Sequence, residues 1–258
     1  MPLIPDYGKK ILFEQNVDVT EALKPDAAYD LGLYWEAGKT GRAVLVVKTI
    51  LNFKFKDGKS QHGKGTLTWS GTEKSKFMGD IKTALTDKWS EKYRLTTTST
   101  VPIVRDVGVL FDVDCRMDMS VFSHSHWNLN IEKADDFVQS YVCGGGGSFI
   151  TNGEVSLDSG DMDWKWGVNS QRGVVHEYGH ILGYRDEYMN NEKKKAEDNP
   201  HWLTDTTSVM NVGETVRPRH YTLLTSWLND QFATAAHLAR EPIKWKVSGT
   251  HDTANALL

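Results

Sequence analysis

Two histidines four residues apart, with a glutamate between them, are the residues of this chain best suited to chemistry. They are His176, Glu177 and His180 in the segment VVHEYGHILGYRDEY, residues 174–188. On a helix, residues four apart leave the same face, so the two imidazoles can meet at one metal ion. Glu177 projects about 100° around the helix from His176, where its carboxylate can reach a water molecule bound to that ion. The HExxH pattern therefore predicts two Zn²⁺ ligands and a general base.

The residues after the second histidine offer a third ligand. Gly183 falls where the helix should stop, because glycine accepts the left-handed conformation that ends helices. Asp186 follows three residues later, where the returning chain can present a carboxylate to the same ion. A structural zinc site is closed by four protein ligands, whereas a catalytic site has three and an open position. We therefore predict that His176, His180 and Asp186 bind the metal. The alternatives to Asp186 are Glu187, Glu214 and His220.

The pattern HExxHxxGxxD, followed by the segment SVMN at residues 208–211, resembles the metzincin clan of zinc peptidases in its aspartate-ligand variant. Snapalysin-type secreted bacterial proteases have that variant. The segments GYRDEY and SVMNVGETVRPRHY are also similar to metallopeptidase domains of bacterial effectors that contractile secretion machines deliver. The resemblance covers roughly residues 144–236, and the N-terminal third contributes nothing specific to it.

This resemblance implies a metzincin-like fold, a polypeptide substrate and roles for the matching residues. The matching ligands are His176, His180 and Asp186, and the matching base is Glu177. Met210 matches a methionine that lies beneath the metal, and residues 148–159 match a strand whose free edge binds an extended peptide. In several clan members a tyrosine two residues after that methionine steadies the transition state, but this chain has Val212 there. His220 is the first choice for that role. The alternatives to it are Tyr221, Arg217 and Arg219.

The resulting hypothesis is a zinc-dependent endopeptidase in which Glu177 takes a proton from water activated by the metal. A bacterial toxin or effector would also have a secretion machine or an immunity protein as partner. One alternative is a zinc amidase that acts on a non-protein amide such as cell-wall peptide. Another is a non-catalytic domain braced by a metal, whose strand-rich N-terminal third binds a partner. The glutamate and the open ligand position favour an enzyme.

Composition and charge describe the scaffold that must hold these residues. The chain has 258 residues, of which 39% are hydrophobic and 25% charged, as in an ordinary globular protein with one sizeable core. A net charge of −4 without a basic stripe argues against nucleic acid as a partner. No window approaches eighteen consecutive apolar residues, so we expect no membrane span. The N-terminal residues lack the pattern of a signal peptide, so we expect a cytoplasmic protein or a signal-independent export route.

Hydrophobic patterning predicts the order of the elements. Residues 1–70 are rich in β-branched and aromatic residues, above all the alternating segment AVLVVKTILNFKFKDG at 43–58. A helix capped by Thr72 follows, because four large apolar residues are spaced four apart. These residues are Phe77, Ile81, Leu85 and Trp89. Further strands, a glycine loop at 144–148, the HExxH helix, a polar segment at 190–207 and a helix over 220–239 complete the chain.

This order predicts a single α+β metallopeptidase domain over residues 1–258. It would contain a mixed twisted sheet, an active-site helix and a C-terminal helix. We place a β-rich N-terminal part at 1–70 and the catalytic core at 71–258, with the active-site helix at about 170–183.

Three other groups of residues receive structural interpretations. His124 and His126 are predicted to be surface or half-buried side chains, although on a strand they would share a face and could bind a metal. The aspartates of residues 158–164 are expected in a solvated turn, because they lack the spacing of a calcium loop. Cys115 and Cys143 are expected as reduced, mostly buried thiols, with a disulfide as the alternative.

Overall fold

A computed structural model gives the fold and describes residues 8–19, 27–63, 65–102, 104–117, 124–136, 138–144, 151–164, 170–188 and 202–249. Nearly all of the expected glycine loop, and the expected polar segment up to residue 201, lie outside the described residues. No helix in the described ranges is both long enough and apolar enough to cross a membrane.

Strands dominate the first half of the chain and helices flank the site. The strands are β1 (Lys10–Val17), β2 (Tyr29–Trp35), β3 (Arg42–Lys56), β4 (Gly58–Lys59), β5 (Thr66–Leu67), β6 (Arg94–Thr96), β7 (Asp106–Met117), β8 (Ser125–Glu132), β9 (Tyr141–Gly144), β10 (Thr151–Asp158) and β11 (Lys246–Ser248). The α-helices are α1 (Gly71–Trp89), α2 (Gly173–Ile181), α3 (Thr222–Gln231) and α4 (Ala233–Ala239). Single 3₁₀ turns are formed by Ser159–Met162 and Pro218–Tyr221. The mixture of sheet and helices confirms the predicted α+β class.

Strand β3 lies in the middle of one mixed sheet with the order β11-β6-β7-β3-β8-β10-β9. Strands β7, β3, β8 and β10 run parallel, and β9 pairs antiparallel with β10 at the end of the described sheet. Strand β2 pairs antiparallel with β3, and β1 adds to β2. The N-terminal part therefore supplies the centre of the sheet as well as its outer hairpin.

One side of β3 is shared by two strands, and a histidine fills the junction. Strand β2 pairs with residues 43–48 of β3 and β8 pairs with residues 51–56, which leaves Ile50 between the two ladders. The Ile50 N–H donates to Nδ1 of His126 at 2.9 Å. The other imidazole nitrogen then carries the hydrogen and faces Asp30 Oδ1 at 3.1 Å. His126 is fully buried, so the surface prediction is wrong for it, whereas His124 is exposed.

Helix α1 crosses from β3 to β7 and packs its apolar face into the core. The predicted face is confirmed, because Phe77, Ile81, Leu85 and Trp89 are all buried. The cap is different from the prediction. Ser70, not Thr72, accepts the Glu73 N–H, and the Glu73 carboxylate accepts the Ser70 N–H in a reciprocal capping box.

Two further expectations need correction. The C-terminal helical pattern forms two helices, α3 and α4, which join at Phe232. Asp163 is exposed as expected, but the other two aspartates of the acidic turn before α2 are buried, because Asp158 and Asp161 are 3% and 0% exposed. Their carboxylates accept backbone N–H groups, as Asp158 does from Val138 at 3.1 Å, so they are structural acceptors and not a solvated cluster.

The two cysteines are free thiols on different strands. Cys115 on β7 is half-buried, and burial raises its pKa to about 12. Cys143 on β9 is exposed, so the expectation of a mostly buried thiol is wrong there.

Candidate metal centre

Helix α2 carries the HExxH residues and is buried along almost its whole length. Its core-facing apolar residues are Val174, Val175, Tyr178 and Ile181. The helix ends as predicted, because Gly183 takes the left-handed conformation with φ of +100°. The Tyr184 N–H then donates to the Gly179 carbonyl at 3.0 Å, a turn of the Schellman type that reverses the chain towards the metal centre.

The structure brings the three predicted ligands together. Asp186 Oδ1 lies 3.1 Å from His176 Nε2 and 3.2 Å from His180 Nε2. All three atoms lie within 4.8 Å of one another, and the two imidazole rings are nearly perpendicular, with centroids 4.9 Å apart. Two nitrogens and one carboxylate oxygen therefore converge on one point.

Hydrogen bonds on the far side of each imidazole fix which nitrogen faces this point. His176 Nδ1 lies 2.9 Å from the Val209 carbonyl, and His180 Nδ1 lies 2.8 Å from the Tyr184 carbonyl. A carbonyl oxygen can only accept, so each Nδ1 carries a hydrogen and donates it. In the neutral imidazole each Nε2 then presents a lone pair to Asp186, as metal-binding histidines do.

Three lone-pair atoms that face one another need a proton or a cation between them. Two neutral imidazoles and a carboxylate are a donor set that suits Zn²⁺, and three protein ligands leave a position open. Where protons on the two Nε2 atoms take the place of a metal, the imidazoles donate to Asp186. Burial acts to raise the pKa of this carboxyl, but these hydrogen bonds hold it well below its usual range. Burial acts to lower the pKa of His180, but the hydrogen bond with Asp186 raises it overall. The residues present therefore fit a zinc ion.

Glu177 is buried beside this group but does not belong to it. Its side chain is 6% exposed, and its Oε2 has no hydrogen-bond partner among the described residues. A buried carboxylate oxygen without a partner costs free energy, so its presence needs a functional reason. A carboxylate left free in this way can accept a proton from a water molecule at the open position.

The turn at residues 208–213, here the methionine turn, packs against helix α2 between His176 and His180. Met210 is fully buried, and a Cβ at position 179 would overlap its Sδ and lie 3.0 Å from its Cε. Glycine at position 179 therefore permits the close approach. The Gln171 amide nitrogen braces the same turn, because it lies 3.0, 2.9 and 2.8 Å from the carbonyls of Val209, Asn211 and Gly213.

The three alternative ligands are engaged elsewhere. Glu214 pairs with Arg172 at 2.7 Å and with Lys88 at 2.9 Å. Glu187 faces Arg219, and both ring nitrogens of His220 have partners in the same region. Within the described residues, these side chains do not join the group of three ligand atoms.

The residues considered for transition-state stabilisation also have structural partners. His220 Nδ1 accepts the Arg217 N–H at 3.1 Å, so its Nε2 carries a hydrogen that faces Glu187. The Tyr221 hydroxyl donates to the Trp89 carbonyl. Arg217 and Arg219 both pair with Asp205. None of the contacts named here, all between described residues, presents one of these groups to the metal centre.

Two side chains near the centre were not singled out by the sequence. Gln171 holds the methionine turn, and the half-buried ring of Tyr188 lies 5.9 Å from the His176 imidazole at 32°. The adjacency of Tyr188 to the HExxHxxGxxD pattern was the available signal for it. For Gln171 there was none, because its partners lie about 40 residues away.

The position of the expected peptide-binding strand is also different. Residues 151–158 form β10, which is enclosed between β8 and β9. The edge on this side of the described sheet is β9, and helix α2 contacts it. Comparisons of the chain with protein-family models, with curated proteins and with solved structures give no match, so the interpretation of the centre depends on its own geometry.

Proposed function

We propose that the protein is a zinc-dependent endopeptidase with a metzincin-like fold. The observation that carries this proposal is the convergence of His176 Nε2, His180 Nε2 and Asp186 Oδ1. Beside them is buried Oε2 of Glu177, which has no hydrogen-bond partner among the described residues. Each imidazole is fixed by a carbonyl on its far side, which is the arrangement that holds a metal ligand in one tautomer.

The residues at the centre would have distinct roles in this reaction. His176, His180 and Asp186 would hold Zn²⁺, which supplies Lewis acidity towards a carbonyl and lowers the pKa of water. Glu177 accepts the proton of the attacking water and delivers it to the leaving amine. Its burial keeps this carboxylate out of bulk solvent.

The sheet offers a place for an extended substrate. Strand β9 ends the described sheet, where no further described strand pairs with it, and α2 lies in contact with this strand. An extended peptide can add to such an edge by backbone hydrogen bonds. This arrangement favours a polypeptide over a compact non-protein amide as the substrate.

The first test is zinc content by elemental analysis of wild type and His176→Ala, with cleavage of unfolded casein followed in the same samples. We expect one zinc per wild-type chain, and loss of both zinc and cleavage in the variant, because the variant lacks one of three ligands. Zinc without cleavage of casein or other unfolded chains would redirect the proposal to a non-protein amide. A folded wild-type protein that takes up no zinc would overturn it.

A further inference from the structure

Glu187, the residue after Asp186, is a carboxylate held by several contacts near the centre. Its side chain is 5% exposed and forms a double hydrogen bond with Arg219, from Nε to Oε1 and from Nη2 to Oε2, both at 2.6 Å. His220 Nε2 lies 3.2 Å from the same Oε1. Planar two-point pairing of this kind fixes orientation as well as distance.

The backbone of Glu187 is held as firmly as its side chain. Its N–H donates to the Met210 carbonyl at 2.8 Å, and its carbonyl accepts from Asn211 Nδ2 at 2.9 Å. Glu187 is therefore attached to the methionine turn by its main chain and to the 3₁₀ turn Pro218–Tyr221 by its carboxylate. Both attachments cross to a part of the chain that lies more than 20 residues away.

The partners of Glu187 are themselves fixed. Arg219 Nη2 bonds Asp205 Oδ2 at 2.6 Å, and its guanidinium lies 4.2 Å from the centre of the Trp202 ring. The hydrogen bond from the Arg217 N–H to His220 Nδ1 sets the tautomer of His220. This group of residues, here the Glu187 clamp, is made of Glu187, Arg219, His220 and Asp205. Arg219, His220 and Asp205 are therefore already in position to hold the Glu187 carboxylate.

Asp186 itself has less support. It lies in the segment between Gly183 and Tyr188, which has no helix or strand, and its side chain is 28% exposed. A carboxylate in such a segment depends on its neighbours for its position.

We propose that Glu187 is a positioning residue for the metal centre: the Glu187 clamp fixes the adjacent Asp186 carboxylate against the two imidazoles. The inference rests on the proposed zinc function, because it assigns a role at that same centre. Outer residues that orient metal ligands typically contribute about 10- to 100-fold in metal affinity.

The test is the zinc dissociation constant of Glu187→Gln, measured by competition with a chromophoric chelator. We expect about 10- to 100-fold weaker binding, because glutamine keeps the shape but loses the two-point ionic pairing. Arg219→Lys keeps the positive charge but loses the planar guanidinium that pairs with both carboxylate oxygens, so it should also weaken zinc binding. Asp30→Asn is the matched control, since it alters a buried pair with His126 away from the centre and should leave zinc binding unchanged.

A double-mutant cycle separates positioning from general damage. If Glu187 acts through Asp186, its substitution should change zinc affinity by less than about twofold in an Asp186→Ala background. The full effect should persist in a His180→Ala background, which also lacks one ligand. An effect that survives without Asp186, or wild-type affinity in both Glu187→Gln and Arg219→Lys, would overturn the inference while the metal centre stands. A wild-type chain that binds no zinc would overturn the proposed function as well.

Discussion

Glu177→Gln is expected to lower kcat/KM for peptide cleavage by about 10²- to 10⁴-fold while zinc stays bound. Glutamine has nearly the shape of glutamate, but its amide cannot accept a proton from water. Zinc should be retained, because the three ligand atoms that converge are those of His176, His180 and Asp186. The measurement is kcat and KM on an unfolded polypeptide, with zinc content determined on the same preparation.

The stability of this variant gives an independent readout. Glu177 Oε2 is buried and without a hydrogen-bond partner among the described residues, so the wild-type chain bears the cost of desolvating a charge. Replacing the charge with a neutral amide removes that cost and breaks no hydrogen bond made by this oxygen. We therefore expect the Tm of Glu177→Gln to equal or exceed that of wild type, as is common where a functional site is kept at the expense of stability.

Two results would separate the roles of this glutamate. Wild-type kcat in a zinc-loaded Glu177→Gln protein would remove it from the mechanism. Loss of zinc together with activity would instead make it part of the metal centre. The second outcome would contradict the geometry, in which its oxygens lie outside the group of ligand atoms.

Local sequence patterns predicted which segments form helices and strands better than they predicted which strands pair with one another. The helix through Phe77 and Trp89 and the long strand β3 follow from spacing within one segment, and both are present. The pairing of strands depends on contacts between distant segments. Strand β10 was therefore expected at an edge that β9 occupies, and the gap in pairing at Ile50 gave no sequence signal that His126 would be buried to fill it.

In the candidate site, too, features within one segment were predicted and contacts between distant segments were not. The spacing of His176 and His180 is a property of one helix, and Gly183 ends that helix at the predicted place. The environment of Glu187 depends on residues 208–221, which include His220 and fold against it. The pairing of Glu187 with His220 and Arg219 was not readable from the sequence, although all three had been considered near the metal.

Gly179→Ala is expected to destabilise the protein, although alanine favours helices by about 1 kcal/mol over glycine. A Cβ at this position would overlap Met210 Sδ, and Met210 is fully buried with no exposed side to move into. Overpacking of a core typically costs about 1–3 kcal/mol. Because the overlap is severe, we expect a net loss of about 1–2 kcal/mol in the free energy of unfolding, measured by denaturant titration.

The same substitution should also weaken zinc binding. Met210 adjoins Val209, whose carbonyl accepts the hydrogen bond from His176 Nδ1. If the added methyl displaces the turn, that hydrogen bond is lost and the ligand is less well oriented. A loss of about tenfold in zinc affinity is the scale of such outer contacts.

Gly79 and Met210 provide the controls that identify the cause. Gly79 lies inside helix α1 with nothing within 4 Å of a Cβ, so Gly79→Ala should stabilise by up to about 1 kcal/mol. In a Met210→Ala background the overlap is absent, and adding Gly179→Ala should then also be stabilising. A change of Gly179→Ala from destabilising to stabilising in this background would show that its cost in unfolding free energy arises at the contact between helix α2 and the methionine turn. A cost that persists without the methionine side chain would mean that Gly179 is required for another reason, and that the turn does not press against the helix between His176 and His180.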